Sequence, residues 1–232
     1  MDVVIGYYRS RREARQTVRD LRRMGARADA IGADLRDPRH ARRLIATAVT
    51  RLGGLDVLVN NAALFSRTPF ATTTVSQYDS LMDLNAKAAF FCAQEAARAM
   101  RRSGGHIVNI GDVGAGLAWP GYVPYTMSKA AIATLTRGLA AALAPRGIAV
   151  NCVAPAAVMR PPGFSAKRWR RLRRKWPVTV DDVTAAVRFF ATCAPDVTGR
   201  VLIVDGRRRR ADGVSAKRAG RAPSRAGSRR AR

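Results

Sequence analysis

Histidine and cysteine are scarce in this chain, and their scarcity argues against several kinds of site. Only two histidines and three cysteines occur among the 232 residues. Cys92, Cys152 and Cys193 are far apart and lie in apolar segments, so we expect reduced core residues of a cytoplasmic protein rather than disulfides. With so few nitrogen and sulfur ligands, we expect no metal site.

Long apolar runs are also missing. Segments such as LDVLVN and IAVNCVA are well short of the roughly 20 residues that a helix needs to cross a bilayer. No basic stretch followed by an apolar one opens the chain, so neither secretion nor membrane association is expected. The hydrophobic content of 47% is sufficient to bury the core of one domain.

Acidic residues are few: 16 stand against 42 basic residues, which gives a net charge of +26. Residues 207–232 carry eleven basic residues and one aspartate without apolar periodicity, which predicts a disordered basic tail after a domain formed by residues 1–206. Such charge could attract nucleic acid or anionic cofactors. Because no aromatic residues interleave the tail to stack on bases, the favoured interpretation is a compositional bias toward arginine on a solvated surface.

What the sequence does contain is a regular alternation of short apolar segments and longer helical ones. The predicted strands are residues 3–8, 28–31, 57–60, 106–110, 148–154 and 200–205. The predicted helices are residues 10–24, 37–52, 76–100, 122–144 and 181–191. This alternation predicts an α/β fold with a parallel sheet covered on both faces, in which ligands bind at the carboxyl ends of the strands.

A further basic segment, KRWRRLRRK at residues 167–175, lies between a predicted strand and the helix that follows. Its tryptophan and leucine residues suit an amphipathic helix that covers a ligand, or one that binds an anionic surface. Its place in the chain favours the covering segment, or lid.

Tyr125 and Lys129 are four residues apart in a predicted helix, so their side chains share a face. A phenol with a pKa of about 10 is a poor acid or base at neutral pH. A neighbouring ammonium favours the phenolate, so we expect Lys129 to lower the pKa of Tyr125 and to offer donors to sugar hydroxyls. The pair by itself is weak evidence, since it occurs by chance on many helices.

The surroundings of the pair are more specific. Six motifs occur in order, and together they resemble the short-chain dehydrogenase/reductase family over nearly the whole chain before the tail: DVLVNNAA (56–63), LMDLNAKAAFF (81–91), GGHIVNIGD (104–112), YTMSK (125–129), GIAVNCVAP (147–155) and VTGRVLIVDG (197–206). The resemblance implies a Rossmann-type doubly wound sheet, a nicotinamide cofactor, a small-molecule substrate, and a homodimer or homotetramer.

The resemblance also implies roles for single residues. Tyr125 would give or take the proton, Lys129 would tune it and bind the nicotinamide ribose, and Asn85 would hold a water relay behind Lys129. The positions implied to line the cofactor are Asp34, Leu35, Asn61, Ala62, Ala63, Pro155 and Ala156. Where the family usually has glycine, the side chain of Ala156 would crowd the nicotinamide carboxamide.

One departure concerns the substrate. Thirteen residues before Tyr125, where the family usually has serine, stands Asp112. A carboxylate repels a carbonyl oxygen and accepts hydrogen bonds, so it suits a substrate with N–H donors or a protonatable ring nitrogen. Together with Arg9-Ser10 and the YTMSK motif, this resembles the pteridine reductase and dihydromonapterin reductase branch. Reduction of another carbonyl or imine, and loss of activity, remain as alternatives.

A second departure concerns the start of the chain. The family opens with a strand and a glycine-rich turn whose backbone amides hold the pyrophosphate, and no glycine cluster precedes Val3. We therefore expect the first strand and the glycine-rich loop to be absent, leaving a gap between the predicted strands 3–8 and 57–60. Either the reading frame begins upstream, which we favour, or the chain is an impaired remnant that serves as a basic module binding nucleic acid or acidic partners.

The choice of cofactor follows from the end of the first predicted strand. An acidic residue there would bind the adenosine ribose hydroxyls and favour NAD. Arg9 and Ser10 instead offer a cation and a hydroxyl that suit a 2′-phosphate. The sequence therefore predicts NADPH rather than NAD.

Overall fold

Strands alternate with single helices or pairs of helices in the computed structural model, which describes residues 1–100, 104–161 and 163–206. The described strands are β1 Val3–Tyr7, β2 Ala28–Gly32, β3 Val57–Asn60, β4 Gly105–Ile110, β5 Ile148–Pro155 and β6 Val201–Val204. The helices are α1 Arg11–Arg23, α2 Pro38–Leu52, α3 Val75–Met82, α4 Ala88–Ala99, α5 Val123–Leu143, α6 Ala166–Lys175 and α7 Val180–Thr192. The predicted basic tail, residues 207–232, lies outside the described residues.

All strand pairs are parallel, but they form two groups. β1 pairs with β2, and β3, β4, β5 and β6 pair in that order. Within the described residues, β1 and β3 are not hydrogen-bonded to each other. The family's first strand would lie between them, and the predicted absence of that strand and of the glycine-rich loop stays a prediction.

Helices cover both faces of the larger group, as a doubly wound sheet requires. Ile107 and Val150 face a core that includes residues of α2 and α4. Val108 and Val153 face the opposite side, where Ala186 and Phe190 of α7 pack. All eight residues of β5 are buried, which explains why this strand is almost wholly apolar in sequence.

A row of polar side chains crosses this apolar interior. Asn60 of β3 donates to the Oδ1 of Asn109 in β4 at 2.9 Å, and Asn109 donates to the Oγ1 of Thr136 in α5 at 3.0 Å. Asn60 and Asn109 are also direct partners in the strand register. The row ties β3, β4 and α5 together just below the carboxyl ends of the strands.

Some helix starts follow local capping chemistry and others do not. Asp37 accepts a hydrogen bond from the backbone of Arg39 ahead of Pro38, as the sequence predicts for α2. Ser10 occupies the cap position of α1, but its side chain makes no cap hydrogen bond.

The predicted helix 76–100 is not one regular helix. It begins at Val75, after a reciprocal hydrogen-bond pair between Thr74 and Gln77, and not at Ser76. Residues Asp83–Lys87 then form a π-helical turn before α4 begins. Such turns often mark functional sites, and this one carries Asn85.

None of the described helices combines the length and apolar character that crossing a bilayer requires. Cys92 and Cys152 are buried and Cys193 is half-buried, and all three are free thiols. Within the described ranges, no three His, Cys, Asp or Glu side chains gather in a way that would hold a metal ion.

Candidate active site

The predicted catalytic residues converge at the carboxyl end of β4. Asp112 follows this strand by two residues and caps a short 3-10 turn, while Tyr125 and Lys129 lie in the first two turns of α5. Both α5 side chains are buried, each with only 5% of its surface exposed. The helical spacing therefore places them on one inward face, as the sequence predicts.

Tyr125 and Asp112 form a direct hydrogen bond. The Tyr125 hydroxyl donates to Asp112 Oδ2 at 2.7 Å, and the backbone N–H of Gly114 donates to Asp112 Oδ1 at 2.5 Å. In this arrangement the only proton of the phenol points at the carboxylate. Tyr125 can give that proton to a substrate in two cases. Either Asp112 is itself protonated, or a donor group of the substrate replaces the Tyr125 hydroxyl in the hydrogen bond to Asp112.

The proton affinities in this pair differ from the sequence-based expectation. Burial raises the pKa of Tyr125, and the charge and hydrogen bond of Asp112 raise it further. Burial also raises the pKa of Asp112, although its bonds from Tyr125 and Gly114 and the charge of Lys129 act in the other direction. The structure therefore keeps Tyr125 protonated, whereas the sequence predicted a Lys129-driven fall in its pKa.

Lys129 is directed at the strand end. Its Nζ donates to the carbonyl oxygen of Ile110 at 2.8 Å, and burial lowers its pKa, partly offset by the charge of Asp112. An ammonium has three N–H donors. One of them is bound to the carbonyl oxygen of Ile110, and the others can bind a ligand.

Asn85 is held by backbone and by one hydroxyl. Its amide accepts from the Leu64 N–H at 2.7 Å, donates to the Leu64 carbonyl at 2.9 Å, and donates to Ser128 Oγ at 2.9 Å. Ser128 in turn donates to the Tyr125 carbonyl at 2.7 Å. Asn85 thus acts on Tyr125 through Ser128, and the predicted water relay behind Lys129 stays a prediction.

Replacing Asn85 by alanine is expected to lower the free energy of unfolding by about 2–6 kcal/mol, because the Leu64 N–H and C=O would each lose their partner at roughly 1–3 kcal/mol per group. Urea unfolding of Asn85→Ala and of the exposed control Asn61→Ala measures this. A loss in Asn85→Ala no larger than in the control would contradict the assigned role.

Two residues of the site were missed by sequence reasoning. Ser128 stands inside the YTMSK motif, which was the available signal. Phe65 packs edge-on against Tyr125, with ring centroids 4.8 Å apart, and stacks on Tyr122 at 4.9 Å. No sequence pattern identifies Phe65, because it lies in the irregular segment after β3.

The positions expected near the nicotinamide differ in environment. Asn61, Ala62 and Ala63 are exposed at the end of β3, on the open side of the site. Pro155 ends β5, and Ala156 packs with Trp176 and Val178 in a buried apolar cluster. The Ala156 methyl group therefore belongs to this cluster, and the predicted crowding of the carboxamide stays a prediction.

The positions expected near the adenosine lie at the ends of β1 and β2. Arg9 and Ser10 are exposed, and the Arg9 guanidinium lies 5.0 Å from the Tyr8 ring centroid. Leu35 packs against the main core. Asp34 is engaged by Arg36, which donates to it from Nε at 2.9 Å, so its predicted contact with the adenine edge must compete with that ion pair.

The basic segment forms α6, with Ser165 as its cap. Leu172 packs near Trp176 and Ala156. The apolar side of the helix therefore covers the cluster that contains Ala156, the residue after Pro155. The outward side is cationic and exposed at Lys167, Arg168, Arg170, Arg171, Arg174 and Lys175. The role of this helix as a lid stays a prediction.

The donor set fits both ends of a nicotinamide dinucleotide. Lys129 offers ammonium hydrogens beside Tyr125 for ribose hydroxyls. At the far end, the exposed guanidinium of Arg9 beside the Tyr8 ring suits a phosphate and a base. We assign no described residue to the pyrophosphate.

Comparison with known proteins agrees with this geometry. The family model described as enoyl-(acyl carrier protein) reductase matches residues 1–206. The 3beta-hydroxysteroid dehydrogenase 1 of Eggerthella lenta is 32% identical over 217 residues, covering 89% of this chain and 83% of that protein. A 3-oxoacyl-(acyl-carrier-protein) reductase of Staphylococcus aureus is 33% identical over 213 residues, covering 88% and 87%.

A solved structure shows the same relationship. The blue fluorescent protein from a metagenomic library, crystallised in complex with NADPH, superimposes with a TM-score of 0.79 at 36% identity, covering 88% of this chain and 86% of that one. The chain belongs to the short-chain dehydrogenase/reductase family, whose members are NAD(P)H-dependent oxidoreductases.

Proposed function

We propose that this oxidoreductase uses NADPH to reduce the C=N bond of a pterin, a dihydrofolate-like molecule or a related imine, or the C=O bond of a related carbonyl compound. The observation that carries the proposal is the hydrogen bond between Tyr125 and Asp112. A site built for simple ketones needs two donors directed at one oxygen. Here one of the two groups is a carboxyl group, which accepts when ionised and donates only when protonated.

When bound, the cofactor supplies the hydride, and the protein must supply the proton that balances it. That proton lies in the hydrogen bond between the Tyr125 hydroxyl oxygen and Asp112 Oδ2, which are 2.7 Å apart. Burial raises the pKa of Asp112, so that the pKa of this carboxyl moves toward the working pH. Protonated Asp112, or Tyr125 released by it, can then protonate a ring nitrogen as the adjacent carbon is reduced.

The ionised carboxyl has a second use with such a substrate. Pterin-like rings carry N–H groups beside the nitrogen that is reduced, and a carboxylate accepts from them with a charge-assisted hydrogen bond. A ketone offers no such donor. The chemistry of Asp112 therefore supports an N–H-bearing ring over a simple carbonyl compound.

The proposed preference for NADPH is supported by the cationic end of β1, where Arg9 lies beside Tyr8. The structural relative crystallised with NADPH is consistent with that choice. A bound 2′-phosphate would gain charge-assisted hydrogen bonds there that a ribose hydroxyl cannot match.

Spectrophotometric NADPH oxidation tests the function directly, with dihydrobiopterin, dihydrofolate and a panel of ketones as substrates. We expect turnover of the pterin-type compounds to exceed that of the ketones. Faster turnover of ketones would contradict the substrate assignment, and no turnover of any compound would contradict the enzymatic role. NADH in place of NADPH is expected to give slower turnover at equal concentration.

The proposed assembly is a homodimer or homotetramer. Phe70 is 86% exposed and, with Val75 and Met127, lines a cavity of about 320 Å³ between α3 and α5. An exposed apolar surface of this kind is typical of a protein–protein interface. A second copy of the chain would cover it by helix-on-helix packing.

A basic binding module is the second candidate function, and the outward side of α6 is the observation that favours it. Six exposed cations occupy this side of the helix over residues 167–175. The aromatic rings beside these cations are Phe164 and Trp169, which are half-buried and pack on each other, and Trp176, which is buried. None of these three rings is fully exposed for stacking on bases. We therefore rank this function below the reductase, and a cytoplasmic location stays a prediction for both.

A further inference from the structure

We propose that Arg36, acting with Arg9 across the ring of Tyr8, forms a clamp that selects adenosine carrying a 2′-phosphate. The inference rests on the proposed use of NADPH and adds a specificity-determining residue to it. Arg36 follows Asp34 by two residues in the sequence, shortly after the end of β2. It belongs to none of the motifs on which the family resemblance depends.

Arg36 first changes the charge of this sheet edge. It binds Asp34 in a bidentate manner, from Nε to Oδ1 at 2.9 Å and from Nη2 to Oδ2 at 2.5 Å, and its backbone N–H also donates to Oδ1 at 3.1 Å. These bonds hold the pKa of Asp34 below its usual value. The carboxylate that could accept from ribose hydroxyls or from the adenine amine is thereby occupied.

Arg36 also reaches the strand where Arg9 stands. Its Nη2 lies 3.3 Å from the Tyr8 hydroxyl and its guanidinium carbon 5.4 Å from the ring centroid, while the guanidinium carbon of Arg9 lies 5.0 Å from the same centroid. Two cations therefore contact one half-exposed aromatic ring. A purine can stack beside such a ring, and guanidinium N–H groups are well suited to phosphate oxygens.

The two effects act in the same direction. With Asp34 neutralised by Arg36, the positive charge of Arg9 is not opposed by a carboxylate across Tyr8. An unphosphorylated ribose would meet donors where it needs an acceptor, whereas a 2′-phosphate would meet donors that match it. Loss of Arg36 should both remove donors and release a carboxylate that repels the phosphate.

Calorimetric titration with two cofactor fragments tests the clamp without requiring turnover. The probes are adenosine 2′,5′-bisphosphate and adenosine 5′-monophosphate. We expect the unmodified protein to prefer the bisphosphate and Arg36→Ala to reduce that preference by about tenfold or more, the loss of a charge-assisted contact. Adding Asp34→Asn to Arg36→Ala is expected to restore part of the preference, because it removes the released carboxylate.

Arg39→Ala is the matched control. Arg39 makes the same bidentate pair with Asp37, two residues away in sequence, from Nε at 3.2 Å and from Nη2 at 2.7 Å, but it lies at the start of α2 and away from Tyr8. Its loss should leave the preference unchanged. Circular dichroism of each variant establishes that it is folded.

Each outcome is decisive. An unchanged preference in Arg36→Ala, an equal weakening of both probes, or no preference in the unmodified protein would overturn the clamp. Selective binding of the bisphosphate by a protein that turns over no substrate would leave the clamp standing and overturn the proposed function.

Discussion

Tyr125→Phe is expected to lower the rate of NADPH-dependent reduction about 100- to 10,000-fold, the usual contribution of a positioned proton donor. The change removes one hydroxyl and keeps the ring, which packs edge-on against Phe65. The Asp112 carboxyl would retain its bond from Gly114 but lose its bond from the phenol. The measurement is the steady-state rate with the best substrate of the panel.

Tyr122→Phe is the control for this experiment. Tyr122 lies three residues before Tyr125, and its ring stacks on the ring of Phe65, which also contacts Tyr125. The control therefore removes the same atom from a neighbouring ring. We expect its rate to stay within about threefold of the unmodified protein, because the hydroxyl that is removed is not the one bonded to Asp112 and the ring that stacks on Phe65 remains. Retention of most of the rate in Tyr125→Phe would remove Tyr125 from the mechanism.

Asp112→Ser is expected to change both the substrate preference and the pH dependence. A serine hydroxyl donates to a carbonyl oxygen at every pH, so turnover of ketones should rise while turnover of pterin-type compounds falls, each by about tenfold or more, as expected for gain or loss of one charged or neutral hydrogen bond. The ratio of the two kcat/KM values measures the effect. An unchanged ratio would show that Asp112 does not select the substrate.

The pH dependence follows from the sign of the pKa shift. Burial raises the pKa of Asp112, and the groups that face it are Tyr125 and Lys129 of α5 and the Gly114 N–H. Proton donation needs the neutral carboxyl, so the rate should fall as pH rises through the raised pKa. Asp112→Ser and Asp112→Asn should lose this limb of the pH–rate profile, and its persistence in both would assign it to another group.

The same carboxyl affects stability. Because its pKa in the folded state lies above that in the unfolded state, the native protein binds more protons between the two values. Stability should therefore fall as pH rises through this window, with the full penalty present above the folded-state pKa. The direction is opposite to that of Asp37, whose pKa is lowered to about 2 by Arg39.

Sequence reasoning located the elements and the shared face of Tyr125 and Lys129, because both depend on periodicity along the chain. It could not find the partners that depend on tertiary approach. Asp34 is taken by Arg36 through a loop geometry that no pattern encodes. The pKa of Tyr125 rises first because its hydroxyl is buried, and then because of the charge and hydrogen bond of Asp112, which comes from another element.

Other differences have the same origin. The helix expected over residues 76–100 contains the π-helical turn Asp83–Lys87 because the buried Asn85 amide bonds with Leu64 and Ser128, which lie far away in sequence. Apolar periodicity continues through this turn, so the sequence shows no break. The environment of Ala156 depended likewise on Trp176, which comes from the end of α6.

The row formed by Asn60, Asn109 and Thr136 has a consequence for how the strands align during folding. Asn60 and Asn109 stand opposite each other in β3 and β4, so a slip of one strand past the other would leave amides unpaired among apolar neighbours, at roughly 1–3 kcal/mol for each group. Misaligned assemblies are thereby disfavoured before any cofactor or substrate arrives. The alignment of the end of β3 with the end of β4 is then set by the protein itself, without a bound ligand.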